Sequence, residues 1–419
     1  MIRSIKGVKD LLPEDMPRWQ AIETAARRQS SLFGYEEIRC PIFEVTELFA
    51  RSIGGTTDIV EKEMYTFQDR DGASLTLRPE GTAGVVRAYI ERNLAQSPRS
   101  QKLYYLGPMF RHERPQAGRL RQFHQYGVEH FGTESPFADV EVIALLWRFL
   151  TDLRLPDLAV EINSLGSTED RPGFKKRLLE FLQARADRLC GNCRRRMATN
   201  PLRVLDCKVP GCREATEGAP QLLDSLSEPS REHFDAVAAG LSAVGVPYTI
   251  NHRLVRGLDY YTMTAFEVTS GRLGAQNAVG AGGRYDGLVK ALGGPNLPGV
   301  GFAVGLERVA LLLPDSLLSP SLPVVYVAGF GAHGQPAGLR VLDQIRRAGI
   351  RGEMDYRATT LKAHLRQADR VGATWAVLIG DDEVDKGRVV LRNMETKKQE
   401  DVPLDDTASV LQSRLIRAS

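Results

Sequence analysis

The apolar positions of this chain change period several times along its length. Residues 17–33 carry them at helical spacing as far as Gly34, and 35–41 then reads as a strand closed by Pro41. Residues 64–68 and 74–77 predict a hairpin around Asp71-Gly72. Arg78-Pro79-Glu80-Gly81-Thr82 follows, with Thr82 placed to cap a helix running through Tyr89 to Asn93. The clearest alternation flanks the stretch 106–132, LGPMFRHERPQAGRLRQFHQYGVEHFG. Apolar LYYLGPMF leads into it, and Phe123, Tyr126, Val128 and Phe131, interleaved with Gln125, Gly127, Glu129 and His130, lead out. Two antiparallel strands joined by a long polar loop are predicted. A helix at 138–153 and a strand at 158–162 come next. From about 169 to 245 the pattern is largely helical and basic. Strands return at 248–250 and 265–270, and a glycine-rich stretch, 271–301, leads into an amphipathic helix at 306–313.

The pattern breaks at 314–323, PDSLLSPSLP, which has the composition of a linker. Beyond it VVYVAGF, GEMDY, TWAVLIG and RVVLRNM read as strands. GLRVLDQIRRAG, TLKAHLRQADRVG and TASVLQSRLIRA read as helices. That alternation predicts a small α/β domain with a parallel or mixed sheet. At 419 residues the chain exceeds one ordinary core, and it divides into 1–322, carrying the helical insertion at about 169–245, and 323–419. No apolar run approaches the length of a membrane span, and the opening MIRSIKGVKDLLPED lacks a signal-peptide core, so a cytoplasmic protein is expected. The net charge of +3 neither demands nor excludes nucleic acid, which leaves local clusters to decide.

The densest cluster is in the predicted hairpin. Arg111, Arg114, Arg119 and Arg121 stand close together, with Glu113 the one acid between them. Guanidinium groups stay charged and bind phosphate bidentately, so the cluster suits a phosphate-rich ligand. A solvated basic hairpin is the alternative, weakened by the charged and amide residues that recur inside the return strand. The usual nucleotide signatures are missing. There is no G-x-x-x-x-G-K-[ST], and no G-x-G-x-x-G sits between a strand and a helix. A nucleotide would therefore lie on an antiparallel sheet, held by arginines. LVRGLDYYT, with Arg256, Asp259, Tyr260 and Tyr261, supplies a second arginine, and VGFAVGLERVALLL supplies Arg308 at the start of an apolar helix.

Taken together these segments resemble a class II aminoacyl-tRNA synthetase, specifically the histidyl-tRNA synthetase family of bacterial type. Residues 34–41 are similar to motif 1, Phe110-Arg111-His112-Glu113-Arg114 with 119–129 to motif 2, and 299–313 with Gly305-Leu306-Glu307-Arg308 to motif 3. LVRGLDYYT resembles the motif peculiar to the histidine enzymes, and RPEGTA and KGVKDLLP also match. The resemblance implies an α+β antiparallel-sheet class II catalytic core with a helical insertion, followed by an α/β anticodon-binding domain. It implies formation of histidyl-adenylate from L-histidine and ATP, then transfer to the 3′ end of tRNA(His), by a homodimer. ATP with Mg2+ is the substrate complex, and no tightly bound organic cofactor is implied. By resemblance Arg111 and Arg256 are catalytic at the α-phosphate, while Glu113, Phe123 and Arg308 bind ATP. Glu80, Gly81, Thr82, Gln125, Glu129, Tyr260, Tyr261 and Tyr285 bind histidine: Glu129 and Tyr261 at the imidazole nitrogens, Glu80, Thr82 and Gln125 at the ammonium. Arg114, Gln116 and Arg119 meet the tRNA acceptor end. Thr82 and Glu80 could also be no more than helix-cap residues, and Tyr260 could be packing.

Cys190-x-x-Cys193 and Cys207-x4-Cys212 are compatible with a tetrahedral zinc site, although the second pair is wider than the usual knuckle. The resemblance does not imply zinc. No metal is assigned, and reduced, unpaired thiols are the preferred reading. Cys40, beside Pro41, is expected in the core. From Pro323 onward 15 basic residues face 13 acidic ones, so tRNA contact there rests on the resemblance and not on charge. The rival readings are a non-catalytic regulatory paralogue and a nucleic-acid-binding module. The first tends to lose the histidine motif and the last domain, both present here. The second leaves Glu80, Glu129 and Tyr261 unexplained.

Overall fold

The computed structural model describes residues 2–54, 57, 59–97, 99–274, 277–318 and 323–416. Parts of the expected linker (314–323), of the glycine-rich stretch (271–301) and of the last helix lie outside the described residues. The chain separates into two compact units, Met1–Ser319 and Pro320–Ser419.

The first unit begins with helix α1 (Met16–Leu32), strands β1 (Glu36–Glu37) and β2 (Phe43–Val45), helix α2 (Thr46–Ile53), and the hairpin β3 (Tyr65–Gln68) and β4 (Ser74–Leu77). Helix α3 (Thr82–Glu91), strands β5 (Gln101–Phe110) and β6 (Gln122–Phe131), helix α4 (Pro136–Asp152) and β7 (Leu158–Ser164) follow. The insertion supplies α5 (Arg171–Gln183), α6 (Gly191–Thr199), α7 (Leu202–Leu205), α8 (Pro210–Ala215) and α9 (Glu228–Ala243). Then come β8 (Thr249–Ile250), β9 (Thr262–Ser270), β10 (Ala278–Arg284), α10 (Leu288–Ala291), β11 (Gly299–Gly305) and α11 (Leu306–Leu312).

Eight strands form one sheet in the order β1-β5-β6-β11-β10-β9-β7-β8. All pairings are antiparallel except β1 with β5 and β7 with β8, at the two edges. Period two sorts the strand side chains between faces. Tyr104, Tyr126 and Val128 enter the large core beneath α1, α4 and α11, with Trp19, Ile22, Leu145, Phe149 and Val309. Tyr105, Phe131, Tyr261 and Tyr285 belong to a second core on the opposite face. Helix α4 closes its first turn with the Ser135 hydroxyl, which accepts from the Phe137 N–H at 3.3 Å, and with Pro136 where no N–H is needed. A buried ion pair and a histidine tie the end of β10 and helix α9 to this helix. Asp139 accepts from Arg284 Nε at 3.0 Å and from His233 Nε2 at 2.8 Å.

Three expectations shift. The strand expected at 35–41 pairs only at Glu36–Glu37, with Ile38 N–H donating to Tyr104 O at 2.8 Å; Pro41 has no N–H to carry the ladder further. Thr82 does not cap α3, because it is already the first helical residue. The cap is the Glu80 carboxylate, which accepts from the Thr82 and Ala83 N–H groups at 2.7 and 2.9 Å. Part of the glycine-rich stretch is sheet, as β10 and the start of β11, with the short helix α10 between them. Its glycines serve close approach: a Cβ on Gly301 would lie 2.2 Å from Glu129 Oε2.

The second unit holds β12 (Val324–Gly329), α12 (Gly334–Arg347), β13 (Gly352–Glu353), α13 (Leu361–Arg370), β14 (Ala373–Ile379), α14 (Asp381–Asp385), β15 (Arg388–Asn393), β16 (Gln399–Pro403) and α15 (Thr407–Ile416). Its sheet is mixed, in the order β13-β12-β14-β15-β16, parallel from β13 to β14 and antiparallel beyond. Val325 and Val327 pack against α12, whereas Tyr326 and Ala328 pack with Ala368 of α13. The fold class is thus an antiparallel-sheet core with a helical insertion, plus an α/β domain.

Candidate active site

β5 and β6 run in register from Gln101↔Phe131 to Phe110↔Gln122, so the loop 111–121 emerges at one end of the central pair. Two of its arginines, Arg111 and Arg119, turn back over the sheet. A cavity of about 190 Å³ is lined by Arg111, Glu113, Arg119, Phe123, Gln125, Arg256 and Arg308, with Glu267 and Glu307. Residues that are 197 positions apart in sequence therefore face one space. Arg111 donates Nε to Pro79 O at 2.8 Å, and its guanidinium lies 5.3 Å from the Phe123 ring. Arg119 is paired with Glu113 at 3.1 Å and Arg256 with Glu267 at 3.0 Å. Arg308 donates to the carbonyls of Gly118 and Ala278. Helix α11 is fixed beneath it by Glu307, which accepts from His124 N–H at 2.9 Å.

Four guanidiniums in so small a space repel one another. Burial first, and then the charge of Arg119, lower the pKa of Arg308. A polyanion relieves both. Arg256 Nε and Gln125 Oε1 are buried without a hydrogen-bond partner, a donor for an anion and an acceptor for an ammonium.

Further along the same face of β6 lies Glu129, 1% exposed. It accepts from Thr82 Oγ1 at 2.7 Å and from the Tyr285 hydroxyl, with the Tyr105 hydroxyl at 3.5 Å. Burial raises its pKa to about 8; the neighbouring charge of Glu80 adds to this, and the hydroxyl donors oppose it. Burial also raises Glu80, against the two backbone N–H groups it caps. Tyr260 stacks obliquely on Tyr261 at 4.6 Å and meets Tyr285 edge-on at 5.7 Å. Gly81 leaves room for Tyr105, because a Cβ there would fall 2.3 Å from its ring. The structure thus gathers Glu80, Gly81, Thr82, Glu129, Tyr260, Tyr261 and Tyr285 in the second core or at its rim. Gln125 lies between that pocket and the arginine cavity.

The loop 254–261 spans both. Arg256 stands 5.6 Å from the Tyr261 ring. Asn163 donates to Leu254 O at 3.0 Å, and Asp259 N–H donates to Ile53 O at 3.2 Å, so the loop is tied at each end. Arg114 and Gln116 are exposed on the 111–121 loop. Arg119 was grouped with them from sequence, but its side chain lines the arginine cavity.

Two neighbours escaped the sequence reading. Tyr105 was read only as part of an apolar strand, and nothing in LYYLGPMF separates it from Tyr104 except the phase of the alternation. Glu267 was passed over inside AFEV, although a lone acid in an apolar strand is itself a signal.

Among the described residues no helix is long and apolar enough to cross a membrane. A family model described as histidyl-tRNA synthetase matches residues 7–309, and one described as anticodon binding domain matches 324–414. The chain is 52% identical over 409 residues to a histidine–tRNA ligase of Desulfatibacillum aliphaticivorans, covering 97% of each. It is 51% identical over 408 residues to that of Geobacter metallireducens, covering 97% of this chain and 98% of the relative. Among solved structures, apo S. aureus histidyl-tRNA synthetase superimposes with a TM-score of 0.82 at 36% identity, covering 98% of this chain and 99% of the other. With the arginine cavity and the Glu129 pocket on one sheet face, these findings agree: the chain belongs to the histidyl-tRNA synthetase family, with a class II catalytic core and a C-terminal anticodon-binding domain.

Proposed function

We propose that the two adjoining spaces divide one reaction: L-histidine and ATP form histidyl-adenylate, and the histidyl group then passes to the 3′ end of tRNA(His). The observation that carries this reading is the convergence of Arg111, Arg256 and Arg308 beside a buried carboxyl pocket on the same sheet face. In the first step a histidine carboxylate oxygen attacks the α-phosphorus, and the bond to pyrophosphate breaks. A carboxylate needs no general base, so the protein's part is alignment and charge neutralisation. Arg111 and Arg256 hold the α-phosphate from two sides. Phe123 stacks on the adenine, Arg308 covers its other face and reaches the terminal phosphate, and Glu113 helps to fix the nucleotide. Mg2+ arrives with ATP as part of the substrate.

Glu129 takes one imidazole nitrogen and the Tyr261 hydroxyl the other, with Tyr285 orienting the carboxyl. Glu80, Thr82 and Gln125 receive the ammonium, for which the unpartnered Gln125 Oε1 is a suitable acceptor. Burial keeps Glu129 protonated to about pH 8. A neutral imidazole entering beside it therefore completes a carboxylate–imidazolium pair by transfer of a proton already present. Analogues without the ring nitrogens leave buried polar groups unpaired, which costs about 10⁴-fold or more in sites of this kind.

In the second step the terminal ribose hydroxyl attacks the adenylate carbonyl and AMP leaves. Arg114 and Gln116 meet the acceptor end, and Arg119 joins them where that end reaches the nucleotide. The unit after the linker grips the anticodon side. The enzyme acts in the cytoplasm as a homodimer built on the segment 34–41. Histidine-dependent exchange of pyrophosphate into ATP tests the first step, and charging of tRNA(His) tests the second. A folded protein that exchanges pyrophosphate with no dependence on histidine would refute the assignment.

A further inference from the structure

The cysteines of the insertion take no part in this chemistry. Cys190 immediately precedes α6 and Cys193 lies in its first turn, while Cys207 follows α7 and Cys212 lies in α8. Although 22 positions separate the first from the last, all four Sγ atoms lie within 4.8 Å of one another. Four thiolates around one zinc at about 2.3 Å form a tetrahedron with edges of about 3.8 Å, so small side-chain movements suffice to close it. Cys193 and Cys212 are buried, and the Cys190 N–H donates to Cys212 Sγ at 3.1 Å, the kind of backbone donor that steadies a thiolate ligand.

The surroundings fit a doubly negative zinc–thiolate centre. Residues 188–213 carry seven basic side chains and one acidic one. The insertion also needs a staple. It has no strand between α5 and α9, and its private core is small: ten buried residues, Phe174, Leu178, Leu182 and Val204 among them, of which Cys193 and Cys212 are two. Helical modules of this size rarely hold themselves together by apolar burial alone, and metal or disulfides supply the remainder.

We propose that Cys190, Cys193, Cys207 and Cys212 bind one Zn2+ as a closed, four-thiolate structural site. With all four positions taken by protein, the ion has no open site for substrate. Unpaired thiols were the preferred reading because the resemblance does not imply zinc, and the wide spacing of the second pair left the site only compatible; in the fold all four sulfurs nevertheless converge, Cys212 included. The module then acts on the active site by position. Asn200 Nδ2 donates to Asp259 Oδ1 at 2.9 Å, and Arg203 Nη1 donates to Gly257 O at 3.2 Å. Both residues lie between the two cysteine pairs, so the ion steadies the loop that carries Arg256 and Tyr261.

The test uses full-length protein, purified without chelator or added metal. Elemental analysis is expected to give one zinc per chain, retained in Cys40→Ser and lost in the double variant Cys207→Ser/Cys212→Ser. Because that variant could misfold, an independent measurement uses the wild type. Zinc is removed by chelation under reducing conditions and Co2+ is titrated in. Intense d–d bands of a tetrahedral thiolate site, saturating at one equivalent and bleached by zinc, are expected. Isolated protein that holds no zinc, and whose reduced form fails to develop these bands, overturns the proposal. So does freshly isolated protein in which the four cysteines are paired as disulfides.

Discussion

Replacing Glu129 by glutamine separates what this residue does for the fold from what it does for the substrate. In the free protein its carboxyl is buried among Thr82, Tyr105 and Tyr285, and its pKa stands at about 8. An unfolded glutamate titrates near 4.3. Below that value both states hold the proton, and the contribution to stability is fully present. As pH rises through this window the unfolded chain ionises first, and stability falls until the folded carboxyl also ionises near 8. At about 1.4 kcal/mol for each tenfold change, the whole window corresponds to roughly 5 kcal/mol as an upper bound; relaxation of the pocket reduces it. Glutamine keeps the size and does not titrate. The ligand-free variant should therefore match the wild type near pH 5 and exceed it by about 1–3 kcal/mol near pH 8, a fraction of that bound. Urea denaturation of both proteins at the two pH values measures this. The same change removes the charged acceptor for the imidazole, so kcat/KM for histidine in pyrophosphate exchange should fall by about 10–10²-fold, the range for a hydrogen bond to a charged group. A stability difference that is the same at both pH values would refute the buried, protonated carboxyl. Unchanged histidine kinetics would refute its role in the pocket.

Further changes probe other links. Arg256→Ala removes a fixed charge from the phosphate cavity and should slow adenylate formation by ~10²-fold or more while changing histidine affinity far less; single-turnover adenylate formation and calorimetric histidine binding separate the two. Asp139→Ala removes the buried partner of Arg284 Nε and leaves that guanidinium only Asp286 and the Thr133 and Ser135 carbonyls; it should lower stability by about 3 kcal/mol, measured by denaturant unfolding. Sedimentation at micromolar concentration should give about twice the 46.3 kDa chain mass, and an active monomer would contradict the proposed dimer. A fragment ending near Leu318 should keep pyrophosphate exchange and lose most of its efficiency in charging tRNA, since the second grip on one long ligand goes with the missing unit. Equal charging by fragment and full chain would remove the anticodon-side role from that unit.

The sequence was most informative where one physical period ran uninterrupted. The strands on either side of the arginine loop, and helix α4, are legible because apolar residues repeat at the right spacing for many residues. The edge strands expected at 35–41 and in GEMDY exist but pair over only two residues each, Glu36–Glu37 and Gly352–Glu353, and no periodicity marks where such short pairing stops. The strand Gln399–Pro403 escaped because only Val402 among its side chains is buried. In the site, Arg111, Arg256 and Arg308 stood out as cations at strand or helix ends. Their meeting in one cavity is a property of strand order, which no local pattern encodes. Glu80 illustrates the opposite case. Its nearness to the start of a helix was readable, but which residue does the capping depended on where the first helical turn begins, at Thr82 and not one residue later, and no local pattern marks that step.

The central claim is that the arginine cavity and the Glu129 pocket together form one site for activating histidine. Pyrophosphate exchange into ATP, measured on one preparation with histidine, with no amino acid and with phenylalanine, tests it most directly. Exchange should require histidine, be absent without an amino acid and with phenylalanine, and collapse in Arg256→Ala while the variant still binds histidine. Exchange that proceeds equally well with phenylalanine, or that survives intact in folded Arg256→Ala, would contradict it.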